Sequence, residues 1–353
     1  MKSKRTIFIL GLFLSEKNKH LIMRTAADQL AELLKKNNYS VIITSVYLNK
    51  FIRYIDTIYK IIVHRKKYQT AVIPLYGSFG SFIWENTASI LLHLLHKNVI
   101  LIVHGGSIPG KMDKKPGKFI RTLNRADIVV CPSNYILTSL QKHGVKSRLI
   151  ENVINLNDYH FHAKKEFRPR ILWMRTLENI YNPEMAIRVF KILVDRFPEA
   201  KLVMAGYDRG SKNMVIELAK ELNVFSRIDF PGYVSNVQKN KLAEDLDFYI
   251  CTNRIDNAPV SLIEMMALGL PVITVDSGGI PYLINNNENG ILVKLDDDMG
   301  MANAIEKIIQ NPEIGIELTK KGLTYAKNFG EESVIVKWEK TFEELNHFNN
   351  NNN

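Results

Sequence analysis

The stretch from Asp256 to Tyr282, DNAPVSLIEMMALGLPVITVDSGGIPY, predicts the architecture of the second half of the chain. It combines the end of a loop, a short helix, a Gly-Pro turn, a buried strand and a second glycine turn that opens another helix. Two helix N-termini would then face one cleft at the carboxyl ends of parallel strands. Because the first amide N–H groups of a helix lack intrahelical partners, such a place suits a phosphate. Asp256 and Glu264, with seven residues between them, lie on either side of the first helix start.

The same alternation of strand and helix runs through the whole chain. The first half has apolar strand patterns at 6–10, 40–46, 70–75, 98–104, 127–132 and 147–151, and helical patterns at 21–36, 50–66, 82–96, 117–124 and 134–143. The second half has strand patterns at 170–175, 201–205, 227–230, 247–252, 271–276 and 290–294, with helices in the gaps and from 300 to about 346. Short apolar strands that alternate with longer helices predict parallel sheets covered on both faces. The predicted fold class is therefore α/β, with two doubly wound, Rossmann-like domains facing a central cleft.

The domain boundaries follow from the same pattern. We predict an N-terminal domain at 1–165 and a C-terminal domain at 166–330, with the polar segment His162–Arg170 as the linker. A helix at 331–347 is amphipathic, and we hypothesise that it crosses back to the N-terminal domain. The asparagine-rich tail at 348–353 is predicted to be disordered.

Composition indicates an ordinary globular protein with room for two cores. The chain has 353 residues, of which 46% are hydrophobic and 24% charged. Cys131 and Cys251 both lie in apolar strand-like runs, which predicts buried reduced thiols and a cytoplasmic location. The start, MKSKRTIFILGLFL, imitates a signal peptide, but no small-residue cleavage site follows, so a first core strand is favoured. No apolar run reaches the ~18–20 residues of a spanning helix.

Charge is distributed unevenly between the two halves. Residues 1–170 carry 28 Lys and Arg against 10 Asp and Glu, whereas the remainder is mildly acidic. A basic half attracts phosphorylated or acidic partners and anionic lipid headgroups. No nucleic-acid recognition motif or interleaved aromatic platform is present, so a nucleic-acid partner is not predicted.

Several segments together resemble a known enzyme family. The stretch from Asp256, extended to LI at 283–284, resembles the carboxyl-terminal signature of the retaining family 4 glycosyltransferases, which have the GT-B fold. Five further segments agree with that family in order and spacing: HGGSIP (104–109), ADIVVCPSNY (126–135), IENVINLNDY (150–159), LVMAGYD (202–208) and IDFPGYV (228–234). The resemblance covers nearly the whole chain and is weakest before Leu101. It implies a metal-independent transferase that uses a nucleotide-diphosphate-sugar donor.

The resemblance also implies roles for individual residues. Glu264 would accept hydrogen bonds from the nucleotide ribose, and Asp256 from hydroxyls of the donor sugar. Arg175 would stabilise the charge that develops on the leaving phosphate. His104 would contact the donor sugar. The implied catalytic residues are therefore His104, Arg175 and Asp256.

The remaining implied site residues bind substrate, mainly through backbone groups. The segment from Asn257 to Leu262 would present amide N–H groups to the sugar and the pyrophosphate, with Pro259 unable to donate. Glycines would allow a close approach of substrate. The implied substrate-binding residues are Gly105, Gly106, Gly206, Tyr233, Val234, Asn257, Ala258, Val260, Ser261, Leu262 and Glu264.

Ordinary structural interpretations stay open for these residues. Ser261 and Glu264 have the spacing of a capping box, Asp256-Asn257 is a common turn, and a lone arginine or histidine is often structural. Asp296-Asp297-Asp298 imitates a metal site, but its place after a strand and before a helix favours an N-cap, and we predict no metal.

Three features depart from the family pattern. The first carboxylate of the pair is Asp256 where such enzymes usually have Glu. The Gly-Gly near the first strand is replaced by SEKNK at 15–19. A lysine usually follows the arginine by five or six residues, and here Ile180 and Tyr181 occupy those places. The neutralisation of a diphosphate is therefore not fully explained by the sequence.

The basic segment Lys50–Lys67 supports two interpretations. Phe51, Ile52, Ile55, Ile58, Ile62 and Val63 recur at helical spacing. Packing of this stripe against the sheet explains it most simply. Alternatively, the segment docks on the inner face of the cell membrane, with Lys17, Lys19 and Lys111–Lys118 contributing to a basic rim.

We therefore predict a cytoplasmic, peripherally membrane-associated transferase that moves a sugar to an acceptor hydroxyl with retention of anomeric configuration. A lipid-linked or polysaccharide acceptor in bacterial surface polysaccharide or glycolipid synthesis is expected from the resemblance. The alternatives are another GT-B enzyme, such as a nucleotide-sugar epimerase, or a non-catalytic nucleotide-sugar-binding protein. A dinucleotide-dependent dehydrogenase is disfavoured because no G-x-G-x-x-G follows the first strand.

Overall fold

The structure is a computed structural model that describes residues 5–13 and 25–350, apart from the side chains of Phe79 and of residues 346–350. The chain forms two compact units. One contains the described residues of Met1–Ile154 and Glu331–Asn353, and the other contains Asn155–Gly330. SEKNK at 15–19, and with it Lys17 and Lys19, lies outside the described residues.

The N-terminal unit is a parallel sheet covered by helices. Its strands are β1 (Thr6–Leu12), β2 (Ser40–Ser45), β3 (Thr70–Leu75), β4 (Asn98–Val103), β5 (Ile128–Cys131) and β6 (Arg148–Leu149). Its helices are α1 (Ala26–Lys36), α2 (Lys50–Val63), α3 (Phe79–Leu94), α4 (Ile108–Lys114), α5 (Pro116–Leu123), α6 (Asn134–Lys142) and α13 (Glu331–Asn350). The strand order is β2-β1-β3-β4-β5-β6.

The C-terminal unit repeats this arrangement. Its strands are β7 (Arg170–Met174), β8 (Lys201–Ala205), β9 (Ile228–Gly232), β10 (Phe248–Cys251), β11 (Val272–Val275) and β12 (Ile291–Val293), in the order β12-β11-β10-β7-β8-β9. Its helices are α7 (Pro183–Arg196), α8 (Lys212–Glu221), α9 (Asn236–Asp245), α10 (Val260–Leu268), α11 (Asp298–Gln310) and α12 (Pro312–Ala326). All pairs in both sheets are parallel, as the continuous apolar strands predict.

Both faces of the N-terminal sheet are buried because successive strand residues point to opposite sides. Leu101 belongs to the core formed with α2–α6, whereas its neighbour Ile100 belongs to the core formed with α1 and α13. Trp338 and Phe342 of α13 lie in this second core, and the ring of Phe342 lies 5.6 Å from that of Tyr39. The last helix of the chain thus completes the core of the first unit. Both cysteines are buried and free, as predicted.

The boundary between the units differs from the predicted one at residue 165. The second unit begins after Ile154, so the predicted linker at 162–170 lies within it. Local hydrogen bonds explain the difference, because the amide of His162 donates to the carbonyl of Leu268 in α10 (3.0 Å). The polar segment is therefore part of the C-terminal unit, where its Phe167 is buried beside Phe248.

Three local predictions need correction. No helix was predicted at Ile108–Lys114, but one forms there, with Pro109 in its first turn, where proline is accepted. The predicted second helix after the glycine turn is a single 3-10 turn at Ile280–Tyr282. The predicted tail at 348–353 overlaps the end of α13, and residues 351–353 lie outside the described residues.

The segment 283–289 explains why that second helix does not form. Asn289 donates through its side chain to the carbonyl of Leu283 (3.0 Å) and accepts from the amide of Asn285 (2.8 Å). Asn287 adopts a positive φ of 63°. These side-chain bonds satisfy the backbone in a loop and replace the helical ladder.

The apolar stripe of Lys50–Lys67 does not pack against the sheet as the simpler interpretation expected. Phe51, Ile52, Ile55, Ile62 and Val63 are all exposed. The helix instead turns its other side inward, where Thr57 and Ile61 are buried. Within the described parts of the chain, no helix combines the length and the apolar character that crossing a lipid bilayer requires.

Replacement of Trp338 by alanine should destabilise the N-terminal unit by about 3–5 kcal/mol, the usual cost of removing a large buried aromatic side chain. The midpoint of urea unfolding, followed by circular dichroism, measures the effect. Val336→Ala on the exposed side of the same helix is the matched control and should change stability by less than about 0.5 kcal/mol. Equal midpoints for Trp338→Ala and the wild type would contradict the assignment of α13 to this core.

Candidate functional site

The C-terminal sheet brings Arg175 and Asp256 together at the place where its strand order reverses. Strands β7, β8 and β9 follow one another in one direction, and β10 then pairs with the other side of β7. The two side chains follow the carboxyl ends of β7 and β10, where doubly wound sheets bind ligands. The guanidinium of Arg175 donates through Nη2 to Asp256 Oδ2 in an ion pair. Two residues 81 positions apart in sequence therefore form the centre of this site.

The guanidinium of Arg175 stacks on an aromatic ring and keeps its charge. It lies over the ring of Tyr181, with 4.3 Å from the guanidinium carbon to the ring centroid. Burial opposes its charge, but Asp256 and neighbouring groups together outweigh burial, so the pKa of Arg175 is raised. The Nε–H of Arg175 is buried and has no hydrogen-bond partner among the described residues. An unpaired buried donor beside a fixed cation suits an anionic ligand.

Asp256 is positioned by a ring of donors. Besides the bond from Arg175, its carboxylate accepts from Asn253 Nδ2 (2.9 Å) and from the amide of Asn257 (2.8 Å). The amide of Gly279 donates to the Asp256 carbonyl oxygen (2.7 Å). A Cβ atom at Gly279 would lie 1.8 Å from the carbonyl oxygen of Asn257, so only glycine permits this approach. The glycine turn thus fixes the loop that carries the carboxylate.

The start of α10 offers three backbone donors. Pro259 is the N-cap and no side chain caps this end. The amide of Asn257 donates to the Asp256 carboxylate, and that of Leu262 donates to the carbonyl of Pro259 (3.1 Å). These two amides, which were predicted to bind substrate, are therefore already bonded within the protein. The amides of Ala258, Val260 and Ser261 have no hydrogen-bond acceptor among the described residues. These are the first-turn groups that bind anions.

The capping-box interpretation of Ser261 is wrong. The helix begins at Val260, so Ser261 lies inside its first turn. Its buried hydroxyl lies 2.9 Å from the hydroxyl of Tyr249, which donates to it. Leu262 is fully buried in the core. Both side chains therefore have structural roles. Only the backbone groups of these two residues could contribute to the predicted binding site.

Glu264 has strong protein partners of its own. It accepts from Lys239 Nζ at both oxygens (2.9 and 2.8 Å) and from the hydroxyl of Tyr159 (2.7 Å). Burial and this carboxylate both raise the pKa of Tyr159, so its hydroxyl keeps its proton. Lys239 was not indicated by the sequence, and Tyr159 ends the segment IENVINLNDY but was given no role; they lie 25 and 105 positions from Glu264. A ribose at Glu264 would have to share the carboxylate with them.

The turns after β8 and β9 contain the other predicted residues of this unit. Gly206 has a φ of 146°, and a Cβ atom there would lie 1.8 Å from the carbonyl oxygen of Arg175. Tyr233 stacks on Tyr207, with ring centroids 5.0 Å apart. Val234 is buried, so its side chain belongs to the core. The half-exposed ring of Tyr207, which the sequence did not single out, extends the aromatic surface formed by Tyr233.

A second cation lies near the place where the family pattern has a lysine. Arg254 precedes Asp256 by two residues, and its amide donates to the carbonyl of Ile180 (2.9 Å). Its guanidinium donates to the carbonyl and side-chain oxygens of Asn179 (2.6 and 2.7 Å), which are both neutral. Arg254 is therefore a cation beside the loop that lacks the lysine.

His104, Gly105 and Gly106 form a separate group in the N-terminal unit. The amide of His104 donates to the carbonyl of Leu75 (2.9 Å), and its ring stacks on Tyr76 with centroids 5.6 Å apart. Enclosure by the protein lowers the pKa of His104 to about 4, so the imidazole is neutral at pH 7. A Cβ atom at Gly105 would lie 2.1 Å from the Tyr76 carbonyl oxygen. Gly105 is therefore needed for the close contact of two strand-end loops.

A buried glutamate supports this group and was not found from the sequence. Glu85 of α3 accepts a hydrogen bond from the amide of Tyr76 (3.1 Å), and its other oxygen has no partner among the described residues. Burial raises the pKa of Glu85 to about 7 and that of Tyr76 to about 12. The carboxyl group thus holds the loop that stacks on His104.

The acidic run at 296–298 acts as a helix start, as predicted. Asp297 is the N-cap of α11 and accepts from the amide of Gly300 (2.8 Å). Asp298 accepts from Arg188 of α7 (2.5 Å). These carboxylates are used within the fold.

Comparison with known proteins identifies the C-terminal unit. Residues 157–328 match the family model described as glycosyl transferases group 1. The chain carries a group 1 glycosyltransferase domain. This result confirms the resemblance to glycosyltransferases, while membership of the retaining family 4 stays a prediction.

The relatives of this chain are distant. An uncharacterized glycosyltransferase of Haemophilus influenzae is 26% identical over 43% of this chain and 42% of its own length. An uncharacterized glycosyltransferase of Methanocaldococcus jannaschii is 24% identical over 88% of this chain and 87% of its own. The match thus spans less than half of the Haemophilus protein.

A solved structure confirms the predicted GT-B fold. The Anabaena protein HepE, crystallised in complex with UDP, superposes with a TM-score of 0.72 at 14% identity. The superposition covers 96% of this chain and 100% of HepE. At this level of identity the similarity concerns the fold alone.

Replacement of Glu85 by glutamine should make the stability of the N-terminal unit less dependent on pH. The folded state raises the pKa of Glu85 from 4.5 to about 7, so its contribution is present below about pH 4.5 and is lost as the pH rises through 7. This difference corresponds to on the order of 3 kcal/mol. We expect Glu85→Gln to raise the melting temperature at pH 8 by roughly 5–10 °C and to change it little at pH 4.5.

Thermal melts across that pH range measure this effect. Glu343→Gln, an exposed glutamate in the same unit, is the matched control and should leave the profile unchanged. A melting temperature at pH 8 that is the same for Glu85→Gln and the wild type would show that Glu85 is ionised without cost in the folded unit.

Proposed function

We propose that the protein is a retaining glycosyltransferase that moves a sugar from a nucleotide-diphosphate donor to an acceptor hydroxyl. One observation carries the proposal: a charged arginine with an unpaired buried Nε–H lies at the sheet reversal beside the open amides of α10. A departing diphosphate needs this combination, because its charge grows in the transition state and fixed donors there need no reorganisation. The group 1 glycosyltransferase match at 157–328 supports the assignment.

The residues of the C-terminal unit suggest a division of roles. The Nε–H of Arg175 and the amides of Ala258, Val260 and Ser261 would hold the diphosphate. Asp256 would accept hydrogen bonds from the hydroxyls of the donor sugar through Oδ1, because that oxygen accepts from the amide of Asn257 and not from Arg175. Tyr207 and Tyr233 would provide an apolar surface for the base.

Glu264 would bind the ribose with help from Lys239. Its three protein hydrogen bonds leave little free acceptor capacity, so the ribose hydroxyls would share the carboxylate with Lys239. Lys239 would in turn bring a positive charge towards the nucleotide. UDP is the nucleotide that we propose first, since HepE was crystallised with it.

The chemistry would proceed on the front face of the sugar. In the described site the carboxylate of Asp256 is hydrogen-bonded to several protein donors. This arrangement does not resemble the paired carboxylates of a retaining glycosidase. The bond from the sugar to the phosphate oxygen would break as the acceptor oxygen attacks, and the departing phosphate would take the acceptor proton. Neutral His104, with Gly105 and Gly106, would contribute from the N-terminal unit as a contact for substrate. The acceptor would be a polysaccharide or a lipid-linked sugar.

Replacement of Arg175 by alanine should lower turnover about 10²–10³-fold, as expected when one preorganised charge stabiliser is removed. Steady-state assays with UDP-sugars, with and without an acceptor, measure it and also separate transfer from epimerisation. Arg188→Ala, an arginine paired with Asp298 away from the strand ends, is the control and should keep its turnover. A full turnover rate for Arg175→Ala would exclude contact with the leaving group.

Replacement of Arg254 by glutamine tests whether it supplies the charge that the missing lysine would provide. We expect the KM for the donor to rise about tenfold, with a smaller change in kcat, and Arg254→Lys to recover part of the loss. Lys220→Gln, on the last turn of α8, removes an equal charge from the same unit and should not change the KM. An unchanged KM for Arg254→Gln would show that this guanidinium only braces the loop at Asn179.

A further inference from the structure

Helix α2 has a second apolar face that points away from the sheet. Phe51, Ile52, Ile55, Tyr59, Ile62 and Val63, here called the outward face, are all exposed, with Phe51 at 73% and Tyr59 at 61%. At 100° per residue these six side chains fall within about one third of the helix circumference. The inward side, with Thr57 and Ile61, is buried against the sheet. Burial in the fold therefore does not explain the outward face.

The neighbouring helix extends this apolar surface. Ile83, Ile90 and Leu94 of α3 recur on one side of that helix and are exposed, Leu94 at 68%. Both helices lie on the same face of the sheet, where Trp84 Nε1 of α3 donates to Thr57 Oγ1 of α2 (3.1 Å). Leu48, just before α2, is also exposed. Exposed apolar patches of this extent on a folded domain usually mark an interaction surface.

The charges around the outward face are almost all positive. Residues 47–97 contain seven Lys and Arg and two acids. Of the acids, Glu85 is fully buried and Asp56 pairs with Lys60 (3.2 Å), so neither presents a free negative charge. Arg65, Lys66 and Lys67 follow the end of α2 and are exposed. A partner of this surface must therefore be apolar and anionic at once.

Further cations lie on the same side of the sheet. Helices α4 and α5 contribute exposed lysines at 114, 115 and 118 to that side. They pack with α3, as the rings of Phe82 and Phe119 show with centroids 4.8 Å apart. The positive charge therefore reaches beyond the ends of α2. The contribution expected from Lys17 and Lys19 lies outside the described residues.

We propose that the outward face docks on an anionic lipid bilayer. The 14-residue helix is about 21 Å long and would lie in the plane of the headgroups, with Phe51, Ile55 and Tyr59 in the acyl boundary. Arg65, Lys66 and Lys67 would contact lipid phosphates. An anionic bilayer has an apolar layer that can accept the exposed apolar side chains and negative headgroups that can pair with the surrounding cations. The proposal depends on the N-terminal unit alone and stands whether or not the chain transfers sugar.

Vesicle flotation of the full chain tests the proposal. The probes are vesicles of phosphatidylcholine with 30% phosphatidylglycerol, compared with phosphatidylcholine alone, at about 0.1 M salt. We expect the wild type to float with the anionic vesicles and to bind the neutral ones at least tenfold more weakly. The triple variant Phe51→Ser, Ile55→Ser, Tyr59→Ser should lose at least tenfold in partitioning to anionic vesicles. Because these side chains are exposed, its melting temperature should equal that of the wild type.

A charge variant and a matched apolar control complete the test. The triple variant Arg65→Gln, Lys66→Gln, Lys67→Gln should lower binding to anionic vesicles by roughly a hundredfold, since each cation near such a surface contributes about fivefold. Val336→Ser removes an equally exposed apolar side chain from α13 and should not change binding. The proposal is overturned if the wild type does not float with anionic vesicles, or if the serine variant floats as well as the wild type.

Insertion can be separated from simple charge attraction by a tryptophan at the outward face. In Phe51→Trp the added indole should be quenched by brominated lipids in anionic vesicles, whereas the indole in Val336→Trp should not. Equal quenching in the two variants would contradict insertion of this face. A dimer in light scattering that the serine variant converts to a monomer, without vesicle binding, would instead assign the face to a second copy of the chain and overturn the proposal.

Discussion

The pairing of Arg175 with Asp256 at the sheet reversal is the interaction on which the site depends. Each residue follows the end of a different strand, and these strands are neighbours only because the chain returns to β7 after β9. The pair keeps the guanidinium charged in a buried position, and the glycine turn at Gly279 fixes the loop that presents the carboxylate. Removal of either partner would leave an uncompensated buried charge. The site therefore requires the strand order, the ion pair and the conformation of the glycine turn together.

Much of the fold could be predicted because its strands are continuous apolar runs buried on both faces. The errors arose where local sequence is ambiguous. Pro109 and Gly110 suit a turn as well as a first helical turn, and the asparagines after Tyr282 bond to the backbone and stop a helix. The stripe on α2 was assigned to the wrong environment because helical spacing shows that residues share a face, and does not show which way the face points.

The candidate site was only partly predictable. Arg175, Asp256 and Glu264 stand in contiguous motifs, so the family resemblance could indicate them. Lys239 could not be found, because only folding brings it to Glu264. Tyr159 stands in the family-like segment at 150–159, but its bond to Glu264, 105 positions away, could not be predicted. Glu85 was hidden in an apolar helix, where its burial and its bond to Tyr76 have no sequence signature. Contacts between residues far apart in the chain leave no periodic pattern, so they cannot be predicted from a single sequence.

The position of α13 has a consequence for the order of events during synthesis. The C-terminal unit is one continuous segment, Asn155–Gly330, and can complete its core as it leaves the ribosome. The first unit is made earlier but lacks Trp338 and Phe342 until the final helix emerges. Until the second unit has been translated, this core therefore has α1 but not α13, and the apolar surface that Trp338 and Phe342 cover stays exposed.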